Sequence, residues 1–421
     1  LDAGLEMAAA ENAARGYYGD IQLDGFEQLT TRVMIGGRTE ERFITPGALN
    51  YAISHTRDRV DANLMSVLLR HAPKSADGHR IEPNSIMRQG DALSERVVTN
   101  VLAKRFFTLY ETDSQAPKDE TPKQLAARRQ RNTRVSELAY KKPKHGFHTL
   151  LFPQGTVRGD GTVLVEKTGG LTSLSKVGEA SVPFVPVGIT YDGLTYAKPK
   201  AIVSIRPPVV LRDFDLPDFA GQTPEAVDKA KRRRLAEAMQ GELVLANSLT
   251  VTGIVGAWWL MARARGREPE ALFEAQVNAL VTHVVESLRR EAPELSVDFD
   301  LIAPSVRRER VTTFMRSLST PRPYFDRNAR ASATVEPYLT EAGTVRRRPG
   351  AAADLAAPIP FGERPEQLDQ TDPLRYWGNR TRQHAALCPA LHGLFERAFT
   401  APLVGSGPEA PLPRAEGCTV M

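Results

Sequence analysis

Ala48 to Ser54 reads ALNYAIS, an apolar run of strand length; His55-Thr56-Arg57-Asp58-Arg59-Val60 follows it. Asp61 to Arg70, DANLMSVLLR, then opens a helix with an acidic residue at its positive end. Working outward, a helical stretch lies around Leu93 to Lys104, a strand at Phe106 to Tyr110, and a polar helix from Pro122 to Tyr140 with Thr121 as its cap. His148 to Phe152, HTLLF, is a further buried-type strand stopped by Pro153. Gly169 to Val177 suits a helix, and Phe184 to Ile189 and Ala201 to Ile205 suit two more strands. Strands that alternate with helices predict an α/β domain, here a mixed sheet flanked by helices over residues 1–215.

From Thr223 the pattern turns helical and stays so through Arg290, with a break around Gly266 to Pro269, so residues 216–300 read as a helical extension. Beyond Pro304 the chain is rich in Pro, Arg and Ala. TVRRRPGAAADLAAPIPFGERP reads as a flexible connector, and residues 301–421 as a partly flexible C-terminal region. A chain of 421 residues suggests roughly two to three domains. With 41% hydrophobic and 25% charged residues, it has the usual globular mixture and is not a disordered polymer. Lys plus Arg exceed Asp plus Glu by 55 to 50, a surplus of +5 that is too small to argue for a nucleic-acid partner. Two cysteines, Cys388 and Cys418, build neither a disulfide framework nor a thiolate metal site, which fits a reducing compartment. LDAGLEMAAAENAARG reads as no secretory leader. The most apolar stretch, VTGIVGAWWLMA, is about a dozen residues where a spanning helix needs roughly 20. Its Trp258 and Trp259 read as core rather than as an interfacial anchor.

Two loops carry residues suited to chemistry. At the first strand's exit, His55 stands before two carboxylates, Asp58 and Asp61, either of which can orient the imidazole as a general base on an alcohol, although by itself the pairing reads first as a surface histidine in a charged loop. After HTLLF comes Phe152-Pro153-Gln154-Gly155-Thr156-Val157-Arg158-Gly159-Asp160-Gly161. Its glycines, threonine and arginine can present N–H groups and a guanidinium to a phosphate, although Gly-Asp-Gly is also ordinary turn chemistry. Ser181-Val182-Pro183-Phe184-Val185-Pro186-Val187-Gly188-Ile189 is an apolar strand that by itself reads as core.

Taken in order and spacing, these three segments resemble the glycerolipid acyltransferase superfamily, whose blocks read His-x4-Asp, Phe-Pro-Glu-Gly-Thr-Arg-Ser and Val-Pro-x-x-Pro-Val. The resemblance covers roughly Ile21 to Leu211. It includes Asp24-Gly25-Phe26-Glu27-Gln28-Leu29, similar to the family's Gly-x-Glu-x-Leu lead-in, and Lys167-Thr168-Gly169-Gly170. Leu245 to Leu260, together with Leu374-Arg375-Tyr376-Trp377-Gly378-Asn379 and the later His384, resembles segments of the glycerol-3-phosphate and dihydroxyacetone-phosphate acyltransferases. The chain departs from the pattern in three places. Five residues rather than four separate His55 from Asp61. Gln154 stands for the family glutamate, with Val157 after the threonine and Arg158 one place later. The arginine expected near residues 106–113 is missing.

The resemblance implies a glycerol-3-phosphate acyltransferase-like fold and the transfer of a fatty acyl group from acyl-CoA or acyl carrier protein to glycerol 3-phosphate. His55 would be the base, Asp61 or Asp58 its orienting acid, and Gln154, Gly155, Thr156 and Arg158 the phosphate loop, with Arg57 and Lys167 as further cations. No cofactor is implied beyond the thioester co-substrate. The alternatives are 1-acylglycerol 3-phosphate as acceptor, or a catalytically silent lipid-binding homologue. Partners would be the acceptor, the donor and membrane surface lipids, with the protein peripheral on the cytoplasmic face. Basic clusters at Arg128 to Arg134, Lys141 to Lys144, Lys229 to Arg234 and Arg346 to Arg348 are solvated helix faces or sites for anionic headgroups.

Overall fold

Phe184–Asp192 (β8), FVPVGITYD, is buried at every position, as a strand covered on both faces must be. It pairs in parallel with Asn50–Ile53 (β4) and antiparallel with Lys200–Ile205 (β9). β4 runs parallel to His148–Leu151 (β7), β7 to Pro83–Arg88 (β5) and β5 to Thr108–Thr112 (β6), while Ile21–Asp24 (β1) runs parallel to β9 on the far side. The order is β1-β9-β8-β4-β7-β5-β6, a mainly parallel mixed sheet that agrees with the α/β expectation. Thr30–Ile35 (β2) and Arg38–Phe43 (β3) form a separate antiparallel hairpin. The strand expected at Phe106 to Tyr110 lies two residues later, as edge strand β6.

The computed structural model describes residues 21–35, 38–43, 49–54, 61, 64–65, 83–88, 108–112, 120–141, 148–154, 161–165, 184–192, 194, 199–209, 221, 223–326, 331–350 and 371–400. The helices expected around Leu93 to Lys104 and Gly169 to Val177, most of the connector and the stretch after Pro402 lie outside these residues.

Pro122–Lys141 (α1) begins at a reciprocal cap. Thr121 Oγ accepts from the Gln124 N–H at 3.3 Å, and Gln124 Oε1 accepts from the Thr121 N–H at 2.9 Å. The helical run beyond Thr223 is three helices rather than two. Pro224–Leu245 (α2) ends where the Asn247 side chain donates to the carbonyls of Leu243 and Val244. Thr250 then caps Val251–Ala264 (α3), and Glu274–Glu291 (α4) follows. Asn247 through Thr250 is therefore a second break, made by side chains that satisfy helix ends. Beyond residue 301 come Pro304–Ser319 (α5), the hairpin Arg322–Asp326 (β10) and Ala331–Val335 (β11), then Pro373–Leu387 (α6) and Pro389–Thr400 (α7).

The apolar residues pack in three groups. The largest joins α3, α4, α5 and α7 with Leu374 and Ala385 of α6. The second lies on one face of the sheet, from β4, β7, β8 and β9, and takes in Tyr376 and Trp377 of α6. The third, on the opposite face, sets Ala52, Leu151 and Phe184 against Met239, Leu243 and Val244 of α2. Each such side chain contributes about 1.5–3 kcal/mol by leaving water. α3 is core, not an interface helix: Trp259 is fully buried with its indole donating to Glu268 at 3.3 Å, and Trp258 stacks on Phe399. Among the described residues no helix is long and apolar enough to cross a membrane.

Candidate active site

Parallel pairing sends β4, β7 and β8 out at the same end of the sheet, and the register fixes how their exits align. Ala52 pairs with Leu151 on one side and Pro186 on the other. His55 and Gln154 each follow three residues after such a pair, so the His/Asp segment and the Gln-Gly-Thr segment start from neighbouring strands about 4.8 Å apart. The exit of β4 is pinned by Ser54, whose N–H donates to Val187 O at 2.8 Å and whose hydroxyl accepts from the Ile189 N–H at 3.2 Å. Gly188, between those two, lies against the Ala246 carbonyl, where any Cβ would collide.

Asp61 is fully buried at the helical residue after this segment. The Tyr191 hydroxyl, from the far end of β8, donates to its Oδ1 at 2.6 Å. Tyr191 meets the edge of Trp377 at 6.4 Å, and Trp377 and Tyr376 of α6 meet edge to face at 5.0 Å. One turn further along α6, the buried Arg380 hydrogen-bonds the Tyr376 side chain. Burial is the largest influence on Arg380 and pulls its guanidinium below the usual arginine pKa, while the charges of Tyr376, Asp61 and Tyr191 oppose that pull. Arginine remains the cation there.

Gln154 is buried just past β7. The far side of its loop is held by α6. Gly161, at φ +81°, lies against the Tyr376 carbonyl, where a Cβ would collide. The Gln383 amide then accepts from the Val163 N–H at 2.8 Å and donates to Val163 O at 2.7 Å, as a neighbouring strand would. Gln240 of α2 accepts from the Val165 N–H at 3.2 Å.

Two histidines are held neutral by burial. His148 sits at the opposite end of β7, at a pKa of about 4, accepting from the Leu49 N–H at 3.3 Å and stacked on Tyr51. Tyr51's own hydroxyl is pushed far up by burial. His384 of α6 is at about 4, mainly through burial and secondarily through Arg206, and neither ring nitrogen has a hydrogen-bond partner among the described residues.

Of the residues singled out from sequence, the described ones are Asp61 and Gln154, both buried at the exits of adjacent strands. His55, Arg57, Asp58, Gly155, Thr156, Arg158 and Lys167 lie outside the described residues. Sequence reasoning missed Tyr191, Arg380 and Gln383. The Leu374 to Asn379 resemblance stopped one residue short of Arg380, and Tyr191 in an apolar strand carried no signal. Among the described residues no group of three His, Cys, Asp or Glu is placed to hold a metal ion.

Neither a protein-family model nor a curated protein matches this chain. Among solved structures, it is similar to the crystal structure of the 1-acyl-sn-glycerophosphate (LPA) acyltransferase PlsC from Thermotoga maritima. Identity is 16%, with 57% of this chain and 79% of that chain covered and a TM-score of 0.29.

Proposed function

We propose that this chain is a glycerolipid-type O-acyltransferase that moves a fatty acyl group from acyl-CoA or acyl carrier protein to glycerol 3-phosphate. One observation carries the reading: the segments with His55 and with Gln154-Gly155-Thr156 leave adjacent, in-register parallel strands, with the buried Asp61 directly after the first. That is the juxtaposition a base and a phosphate loop need if one small acceptor is to touch both.

In this reaction His55 takes the proton of a glycerol hydroxyl as that oxygen attacks the thioester carbonyl. Collapse of the tetrahedral intermediate expels the thiolate, which receives the proton back from the imidazolium. Asp61, or Asp58, fixes the imidazole's tautomer and balances its charge. Gln154, Gly155, Thr156 and Arg158, with Arg57 and Lys167, hold the acceptor's phosphate. The acyl chain's source and fate favour the cytoplasmic face of a membrane, where the exposed Arg129, Arg131 and Arg134 of α1 would meet anionic headgroups at about 1 kcal/mol each.

The test incubates purified protein with radiolabelled glycerol 3-phosphate and either thioester donor, with and without phosphatidylglycerol vesicles, beside His55→Ala. Labelled lipid that falls about 10²- to 10⁴-fold in the variant is expected. Equal background in both proteins would overturn the reading in favour of a silent lipid-binding homologue. Product from 1-acylglycerol 3-phosphate alone would move the acceptor, and failure to sediment with the vesicles would remove the membrane surface.

A further inference from the structure

We propose that Tyr191 and Arg380 are positioning residues for Asp61, so that helix α6, more than three hundred positions downstream, completes the site by fixing its carboxylate. The inference deepens the acyl-transfer reading and rests on it for its kinetic consequences. A fully buried carboxylate is costly unless hydrogen-bonded and balanced by a cation. Asp61 has both: the Tyr191 hydroxyl on Oδ1 at 2.6 Å, and the buried guanidinium of Arg380, whose charge and that of Asp61 favour one another. Every piece is held from outside the trio. Trp377 lies against Tyr191 and 5.7 Å from the Arg380 guanidinium, and Tyr376 takes a hydrogen bond from Arg380. Gly161 and the Gln383 clamp on Val163 lock α6 to the loop that follows Gln154.

Polar groups buried together are no more stabilising than apolar ones of the same shape, so a network here needs a reason beyond stability. The one at hand is orientation. Asp61 directly follows the segment bearing His55, and an imidazole base works only if its carboxylate stays ionised and in place. Among the described residues, the further titratable group against this trio is Tyr376, with His384 one turn further along α6.

Rates are measured from pH 5.5 to 9 for wild type, Tyr191→Phe, Arg380→Met, Arg380→Lys and Asp61→Asn. Tyr191→Phe and Arg380→Met are expected to lower kcat at least 10-fold while KM for the acceptor changes less than 3-fold. A carboxyl deprived of its neighbouring cation keeps its proton to higher pH. The Arg380→Met defect should therefore be deepest at acid pH and recover as pH rises, Arg380→Lys should restore most of the rate, and Asp61→Asn should recover at no pH. A loss uniform in pH, a loss confined to KM, or no loss would overturn the proposal. If Arg380→Met does not fold by circular dichroism, Tyr191→Phe decides by whether kcat falls at least 10-fold with KM nearly unchanged. If wild type acylates nothing, the reaction is wrong. The link is then judged by a double-mutant unfolding cycle of Asp61→Asn with Arg380→Met, where additive losses overturn it and non-additive losses sustain it.

Discussion

Burial holds the imidazoles of His148 and His384 at pKa values of about 4, against the 6.5 of an unfolded histidine. Between those values the unfolded chain binds protons that the folded one refuses. The two histidines therefore contribute fully above about pH 6.5, and their contribution drains away as pH falls toward 4. Each is worth up to about 3 kcal/mol over that window. Asp298 works in the opposite sense at lower pH, because burial raises its carboxyl above the usual value despite its 2.6 Å ion pair with Lys200. Urea midpoints should thus fall steeply from pH 7 to 4.5, and His384→Leu should flatten that slope; an unchanged slope would show that this imidazole titrates normally when folded. Asp61 was legible as a chemical residue only through the order and spacing of the three segments, since a histidine and an aspartate in a charged strand-exit loop read by themselves as ordinary surface. Tyr191 was not, because a tyrosine ending an apolar strand looks like core, and only the tertiary fold carries its hydroxyl to Asp61.

Helices α3 and α6 cross at bare backbone. A Cβ on Gly378 would sit 2.6 Å from the Gly256 carbonyl carbon, one on Gly256 would collide with the Leu374 carbonyl, and one on Gly253 would press on Thr381. Gly378→Ala should therefore cost about 3 kcal/mol or more by forcing the helices apart, shifting Tyr376 and Trp377 away from the sheet. Gly241 of α2 has nothing within 4 Å of its would-be Cβ, so Gly241→Ala should instead add about 0.5–1 kcal/mol. Opposite signs in urea denaturation, with the near-ultraviolet dichroism altered only in Gly378→Ala, are the expected result. Strands β4, β7, β8 and β9 and helix α1 were readable from apolar runs and a capping threonine. β5, PNSIMR, was not, since proline, asparagine and serine at its start mimic a loop and only β6 and β7 on either side make it a strand. The β2–β3 hairpin had a signal, Gly36-Gly37 between two runs, that the α/β pattern overshadowed.

Across the whole molecule, α6 belongs to two cores at once: Leu374 and Ala385 pack among the helices, Tyr376 and Trp377 against the sheet. A second seam ties the sheet edge to the turn before α5. Gln22 of β1 donates to Val297 O at 3.1 Å and accepts from the Phe299 N–H at 2.9 Å, while Lys200 of β9 pairs with Asp298 and Asp300. The sequence pattern announced helices in this half of the chain but not their partner, because a periodic apolar stripe states which face is buried and not what buries it. With two seams and a shared helix, sheet and helical extension should unfold as one unit, giving coincident transitions in far- and near-ultraviolet dichroism. Ending the chain at Gly350 removes α6 and α7, bares both cores and releases the Gly161 and Val163 contacts. That truncated chain should lose the cooperative transition altogether, and a sheet domain that still melted sharply without α6 would show that the helix is an accessory rather than part of the fold.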